Sequence, residues 1–399
     1  MESFHAGEDG DARGHVVGVA KARIAAVSAV ALVSTAVLTA GPAGATGDGR
    51  SHGQSLKPVV TKLNGPRGVA LTKDGSKVVY SVGDGTVYQA SAYGTNKHIK
   101  KLGKVQGAGG IAPAVDTNAW GTTYALTSAG AGGPGSKPPK GAQTLYRLRA
   151  GKSPVTVANI AKYQAHDPDP YNRADSPTES NPFGVAALKD GTVLVSDAAN
   201  NDLLRVWPNG HIQTVARLKP RWVKVPSGLK NAPPAGSNFL AEAVATSVTV
   251  GSDGYYYVGE LRGFPATPGT SEIWRIKPGS KGAVCDPKNP YKGNCRRYAD
   301  GYTSIVDLAG GPHGTLAVVQ LARNSWLKWE QSGNPPSPTG SAAIGSLYLQ
   351  YPGKHHKAGY KKELVRGKLH LPGGTAISKH GQVYVAGPVF GPGSVSRVK

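Results

Sequence analysis

The sequence predicts an all-β fold, a six-bladed β-propeller built from four-stranded antiparallel blades. A short unit recurs six times along the chain, and each copy has a glycine turn at a similar position. The composition, with 55 Gly, 30 Pro and 17 Tyr in 399 residues, favours strands separated by frequent turns. We expect one propeller domain over residues 58–399.

The recurring unit is clearest at Pro182–Ala186, which is followed by Asp190-Gly191 and the β-rich run Thr192–Asp197. Each unit is typical of a strand, a two-residue Asp-Gly hairpin, a second strand, a third strand and, in places, a fourth. Two copies have His313 and His380 before the glycine, and we expect both to be turn residues rather than ligands. The turn glycines are Gly75, Gly121, Gly191, Gly254, Gly314 and Gly381.

The two ends of the domain are predicted to share one blade. The sequence stops after the third strand of the sixth unit, near Ser394–Val398. The segment Pro58–Leu63 can supply the missing fourth strand, which would leave no open sheet edge.

The first 45 residues are predicted to be a cleaved signal peptide. Lys21 and Arg23 precede the apolar run Ile24–Ala40, and Ala43–Ala45 offers a cleavage site with small residues. A retained membrane anchor is the alternative, but no later segment is apolar enough to span a bilayer. Residues 46–57 would be a flexible linker, and the mature chain would be secreted.

Secretion would place the two cysteines in an oxidising compartment. Cys285 and Cys295 lie close together in sequence and are expected to form a disulfide, with two free thiols as the alternative. No His or further Cys lies nearby to complete a zinc site.

The net charge of +22 indicates an affinity for anionic partners, such as cell-wall polymers or acidic glycans. Solubility alone is the alternative explanation for this charge. No motif for specific nucleic-acid binding is present, and we expect a monomer.

Three segments resemble the ScyD/ScyE family of exported β-propeller proteins, which is related to NHL-repeat propellers. The resemblance lies in Ser180–Val206, Tyr257–Pro265 and Thr303–Ala309, and it extends over about residues 58–399. It implies the propeller fold and export but supplies no catalytic residues. The second unit, from Ala112, and Gln320, where an acid would fit, depart from the pattern.

Aligning the units identifies candidate site residues near the propeller axis. The third residue of five units is small, whereas Asp307 in the fifth unit carries a carboxylate. Asp197 and Glu260 end two neighbouring second strands, and Asn181 precedes an inner strand. Together with Arg67, these residues could bind a polar ligand in or near the channel, or their oxygens could bind Ca²⁺, with Asn181 and Asp307 as the metal ligands. In the alternative, the acids bond loop amides or pair with arginines, for which Arg67 and Arg262 are the candidates.

Two further features are weaker candidates. The acidic stretch His166–Glu179 lacks the glycine spacing of a calcium loop, which favours a solvated lid loop stiffened by proline. The aromatic residues Trp222, Phe264, Trp326 and Trp329 could stack on a ligand, although packing in the core is the simpler expectation.

The sequence therefore predicts a secreted binding module that presents one face to a protein, a glycan or a small molecule. It contains neither a Gly-x-Ser-x-Gly nucleophile elbow nor a His-Glu-x-x-His metal motif. The alternative is a Ca²⁺-dependent hydrolase of the lactonase or esterase type with its site at the propeller channel.

Overall fold

The computed structural model describes residues 54–130, 137–173 and 175–399. Its fold is the predicted one: six propeller blades of four antiparallel strands, with very little helix, and one blade sheet gains a fifth strand. The predicted signal peptide, residues 1–45, lies outside the described residues. No helix of the described ranges is long and apolar enough to cross a membrane.

The N-terminal strand and the first three blades follow one another along the chain. In each blade the first strand lies nearest the axis. The strands are β1 (Leu56–Asn64); β2 (Val69–Leu71), β3 (Lys77–Ser81), β4 (Thr86–Ser91) and β5 (Lys100–Lys104) in blade 1; β6 (Ala114–Thr117), β7 (Thr123–Leu126), β8 (Thr144–Leu148) and β9 (Val155–Asn159) in blade 2; and β10 (Pro182–Ala187), β11 (Val193–Asp197), β12 (Asp202–Val206) and β13 (Ile212–Leu218) in blade 3.

The second half of the chain adds an inserted hairpin and three more blades. Their strands are β14 (Arg221–Lys224) and β15 (Asn238–Ala241) in the hairpin; β16 (Ala245–Val250), β17 (Tyr256–Glu260), β18 (Ser271–Ile276) and β20 (Cys295–Tyr302) in blade 4, with β19 (Ala283–Cys285) between the last two; β21 (Ile305–Gly310), β22 (Leu316–Gln320), β23 (Ser346–Pro352) and β24 (Ala358–Leu364) in blade 5; and β25 (Gly374–Ile377), β26 (Val383–Gly387) and β27 (Pro392–Val398) in blade 6.

Helices are confined to short segments between strands. Two α-helices of one turn each occur in the described ranges, α1 (Ile160–Gln164) and α2 (Trp326–Glu330). Their N-caps are Asn159 and Ser325, whose side chains accept hydrogen bonds from the main-chain N–H of Lys162 and Lys328. Further 3₁₀ turns lie at Pro312–Gly314, Ser341–Ala343 and Lys354–His356.

The six turn glycines all have positive φ, between 72° and 86°. The hairpin of the third unit is not the predicted two-residue turn, however. The main-chain N–H of Leu188 donates to the carbonyl of Thr192, which leaves a three-residue loop ending at Gly191. In a three-residue loop the third residue adopts the left-handed conformation, which lets the loop follow the twist of the strands. Glycine is therefore required at the third loop position rather than the second. His313 and His380 do lie in these turns.

The ring closes as the sequence predicts. Strand β1 pairs antiparallel with β27, with Pro58 opposite Ser396 and Val60 opposite Val395. The strand begins at Leu56, two residues earlier than expected, and the N–H of Ser55 donates to the carbonyl of Lys399 at 3.1 Å. Blade 6 therefore has four strands, in the order β1-β27-β26-β25.

The hydrophobic core consists of layers between neighbouring blades. One layer joins Val79 of blade 1 to Ala125 of blade 2, and another joins Leu194 of blade 3 to Val258 of blade 4. The last layer joins Val59 and Tyr384 to Val78 of blade 1, which seals the ring. Each blade is thus stabilised by burying both of its faces.

The predicted disulfide between Cys285 and Cys295 is present, with 4.9 Å between the Cα atoms and both residues fully buried. Cys285 ends β19, which pairs in parallel with β13 and gives blade 3 a fifth strand that the sequence did not indicate. Cys295 begins β20 of blade 4. The bond therefore links two blades as well as closing a loop.

We predict that Val60→Asp lowers the free energy of unfolding by at least about 3 kcal/mol, because it buries a charge in the closing sheet. Lys57→Asp is the matched control, since Lys57 is exposed on the same strand and should shift stability by less than about 1 kcal/mol. Chemical denaturation measures both. Equal effects of the two substitutions would contradict a role for this strand in closing the ring.

We also predict that the double substitution Cys285→Ser and Cys295→Ser lowers the free energy of unfolding by about 2–3 kcal/mol, as expected for opening a short closed loop. Calorimetric melting of the two proteins measures the difference. An unchanged melting temperature would show that the interface of blades 3 and 4 does not depend on the bond.

Candidate functional site

The loops that precede the inner strands and follow the second strands lie on one face of the propeller, here called the upper face. At its centre is an apolar pocket of about 40 Å³, here called the axial pocket. All six blades contribute to it. Its lining includes Arg67, Ile111, Ala112, Asn181, Phe183, Ala198, Val244, Leu261, Val306, Leu321, Trp326, Val389 and Phe390.

Below the axial pocket the inner strands surround a second, more polar cavity of about 240 Å³, here called the channel. Its acidic residues are Asp116 on β6 and Asp307 on β21. Arg67 and Gly373 belong to the linings of both cavities, so these residues lie at the boundary between them.

Arg67 is held across the axis by neighbouring blades. Its guanidinium lies 3.7 Å from the ring centroid of Phe183 and donates to the carbonyl oxygens of Ala112, at 3.1 Å, and Phe183. Burial lowers the pKa of Arg67 to about 10, and the negative charge of Asp307 opposes that shift. The groups that accept hydrogen bonds from the guanidinium are thus neutral carbonyls, and Asp307 balances its positive charge only in part.

Asp307 points into the channel, as the unit alignment predicts. Its Oδ2 accepts a 2.7 Å hydrogen bond from the main-chain N–H of Thr375 in the next inner strand. Burial raises the pKa of Asp307 from its ordinary value of 3.8 to about 7, against the opposing effects of that hydrogen bond and of Arg67.

Asp116 is a channel acid that the sequence analysis missed. Its Oδ2 accepts from the N–H of Ala187 in the next blade at 2.8 Å, and burial raises its pKa to about 6. The same alignment could have found it, because it is the fifth residue of its unit, where the others have Ala70, Ala186, Thr249, Ala309 and Ala376.

Asp197 does not face the axis. Its carboxylate is fully buried and accepts from Ser180 Oγ at 2.6 Å, from the N–H of Asn181 at 2.7 Å and from two N–H groups of the turn that follows. Gln320 occupies the equivalent place in blade 5, where its Oε1 accepts from the N–H of Thr303. These contacts fix the loop that leads into an inner strand. The structure therefore agrees with the alternative in which the acid bonds loop amides.

Glu260 is also held by protein groups. It forms a buried ion pair with Arg262 and accepts from Trp274 Nε1 at 2.6 Å, and burial raises its pKa. Arg262 pairs at 3.0 Å with Glu272, which in turn pairs with Arg297. The network stabilises the interior of blade 4.

Asn181 and Asp307, the predicted metal ligands, line different cavities, with Arg67 between them. Asn181 Oδ1 accepts from the N–H of Ala129 at 2.9 Å. Within residues 54–130, 137–173 and 175–399, no three His, Cys, Asp or Glu side chains are grouped as a metal ion would require. The two predicted ligands therefore do not belong to a common Ca²⁺ site.

The acidic insertion packs on blade 3 rather than standing away from it. Asp167 pairs with Arg217, and buried Asp169 accepts from Asn201 Nδ2 at 3.0 Å. Asn201 Oδ1 accepts from the N–H of Val244, which holds this pocket residue at a φ of 60°. Positive φ is rare for a β-branched residue and indicates a constrained rim.

The predicted aromatic set divides by burial. Trp326 and Trp329 are buried, and Trp326 Nε1 donates to the carbonyl of Arg262 at 2.9 Å. Trp222 is 57% exposed, away from the axial pocket. Trp326 at the start of α2 and Phe390 in the loop between β26 and β27 also line the pocket. Because the repeat pattern does not include these positions, alignment of the units gave no indication of Phe390.

Comparison with solved structures supports the propeller fold. A crystal structure of glucose dehydrogenase is 11% identical, with a TM-score of 0.53 over 86% of this chain and 99% of its own. A putative oxidoreductase (glucose dehydrogenase) from Thermus thermophilus is 15% identical, with a TM-score of 0.51 over 87% and 100% of the two chains. At these identities the likeness shows the fold alone.

A streptogramin B lyase structure is also similar, at 13% identity and a TM-score of 0.45 over 87% of this chain and 97% of its own. No protein-family model and no curated protein matches the chain. The resemblance to the ScyD/ScyE family therefore stays a prediction.

We predict that Asp307 makes the protein more stable at about pH 5 than at about pH 8. With a pKa of about 7 in the folded state and 3.8 when exposed, the folded protein binds the extra proton between those values. The stability it contributes is therefore fully present below about pH 4 and is lost as the pH rises through about 7. Asp307→Asn, which keeps an acceptor for Thr375, should remove about 1–3 kcal/mol of this pH dependence.

Denaturation at both pH values measures that dependence in the two proteins. Asp84→Asn is the control, because Asp84 is exposed and its pKa is lowered rather than raised. Identical pH profiles for the parent and Asp307→Asn would show that folding does not raise the pKa of Asp307.

Proposed function

We propose that the protein is a secreted binding module that recognises a small amphiphilic anion at its upper face. The acidic end of the ligand would enter the axial pocket first and lie toward Arg67, and the adjoining apolar part would pack against the pocket walls. The observation that carries this proposal is the apolar pocket on the axis where all six blades meet, with a partly compensated cation at its floor.

The size of the pocket limits what can enter it. A volume of about 40 Å³ suits one small end group rather than an aromatic ring or a whole ligand, because complete ligand sites usually enclose hundreds of Å³. The rest of the ligand would lie on the loops of the upper face, which a rigid scaffold holds in place.

The charge of Arg67 favours an anionic group. Its guanidinium is buried and bonded to neutral carbonyls, and burial has already lowered its pKa. A carboxylate or sulfonate nearby would stabilise the charged form, since charge-assisted hydrogen bonds are stronger than neutral ones.

Export is part of the proposal and is supported by the disulfide, which is typical of oxidising compartments. The Ca²⁺-dependent hydrolase is not favoured, because the metal ligands it needs, Asn181 and Asp307, line different cavities.

The proposal predicts saturable binding of octanoate at one site, with its carboxylate toward Arg67. Ala198→Leu, which adds bulk in the pocket, and Arg67→Met, which removes the charge, should each weaken binding by about tenfold or more. Octanol, which lacks the negative charge, should bind more weakly than octanoate. Isothermal titration calorimetry measures these affinities.

Trp222→Ala is the control, because Trp222 is exposed and lies outside the pocket lining. Melting curves would confirm that each variant folds. The proposal fails if octanoate binds both pocket variants as well as it binds the parent and the control, or if octanol binds as well as octanoate.

A further inference from the structure

The outer edge of blade 5 presents a basic and aromatic surface that is separate from the axial pocket. Strand β24 exposes Gly359–Lys362, and the preceding turn exposes Lys354–Lys357. The only acid of β24, Glu363, is paired with Arg323 and lies 3.5 Å from Arg366. The edge is therefore strongly cationic.

Two tyrosines give this edge a flat, fixed apolar face. The rings of Tyr351 and Tyr360 are stacked, with centroids 4.3 Å apart and planes 12° from parallel, and Tyr360 is 67% exposed. One ring face of Tyr360 is covered by Tyr351. The rest of the Tyr360 ring is open to solvent, where it can stack on a ligand.

A buried glutamine holds both tyrosines in place. Gln350 Nε2 donates to the carbonyl oxygens of Tyr351, Gly359 and Tyr360 at 2.9–3.1 Å, and its Oε1 accepts from Tyr302 O–H at 2.7 Å. These hydrogen bonds constrain the main chain at both tyrosines before any ligand arrives, which lowers the entropic cost of binding.

The disulfide-closed loop of blade 4 extends the same surface. Its Tyr291 is 51% exposed, and the Nζ of Lys357 from blade 5 lies 4.2 Å from the ring centroid. Lys361 lies 4.2 Å from the Tyr302 ring and donates to the carbonyl of Gly301, which joins the two blades further along the edge. The Cys285–Cys295 bond fixes both ends of the loop that carries Tyr291.

The lysines of this surface are not neutralised by nearby acids. Asp286 lies 3.2 Å from Lys219, and Asp300 pairs with Arg221 at 2.8 Å. Among the described residues, none of the following lysines forms an ion pair: Lys288, Lys292, Lys354, Lys357 and Lys362.

We propose that this surface, comprising the 286–294 loop and the edge formed by residues 351–362, binds an acidic polysaccharide. Exposed tyrosine rings can pack against the C–H faces of sugar rings, and flexible lysines can reach carboxylates spaced along a chain. The disulfide favours a glycan over nucleic acid, because it is typical of a compartment outside the cytosol.

The test measures binding of a labelled oligogalacturonate to the purified chain at physiological ionic strength, by fluorescence polarisation. The triple substitution of Lys354, Lys357 and Lys362 by Gln should weaken binding by about tenfold or more. Tyr360→Ala should weaken it by at least about fivefold through lost stacking, whereas Tyr360→Phe should bind as the parent does.

The control removes the same charge from another blade edge. Lys97, Lys100 and Lys101 are exposed at or beside β5 of blade 1, and their replacement by Gln should leave the affinity unchanged. Equal losses for the two triple variants would assign binding to net charge and overturn the proposal. Tighter binding of an oligothymidylate of equal charge, or no binding of the glycan at low salt, would overturn it as well.

Discussion

Neighbouring inner strands approach so closely around the axis that some positions have no room for a side chain. A β-carbon on Gly374 would lie 2.0 Å from the carbonyl oxygen of Arg67, and one on Gly68 would lie 2.6 Å from that of Pro113. At Gly184 the nearest main-chain contact would be Ser247 Cα, at 2.7 Å. These contacts join the main chains of different blades, so glycine at these points lets neighbouring sheets meet. The packing of the sheets in turn positions the loops of the upper face.

The same crowding explains the polar side chains of the channel. Asp307 bonds the N–H of Thr375 and Asp116 bonds the N–H of Ala187, while Thr249 Oγ1 accepts from the N–H of Gly310 at 2.8 Å. Each contact links one inner strand to the next and satisfies an N–H that the ladder of its own blade leaves available. The channel acids thus act first as connectors between blades, and their raised pKa values follow from that buried position.

Arg67 separates the two cavities because the residues of several blades converge on it. Above it lie apolar side chains, including Leu261 and Trp326, and below it lies Asp307. The upper face therefore offers a ligand an apolar pocket with a cation at its floor. The blade 5 edge offers a different chemistry, exposed tyrosine and lysine, so the two proposed sites suit different partners.

Local chemistry in the sequence determined the blades, since the turn glycines need positive φ and Pro58–Leu63 completes blade 6. The pairing of the cysteines and the axial position of Asp307 could also be predicted from the sequence. The first follows from the short spacing of the cysteines and the second from the register of the repeats. Tertiary structure alone decided that Asp197 and Glu260 serve their own loops and blade, and that Phe390 reaches the axis. A side chain at a strand end can turn toward the axis or into its blade, and the choice depends on which buried partners, such as Arg262 or a loop N–H, lie within reach in the folded ring.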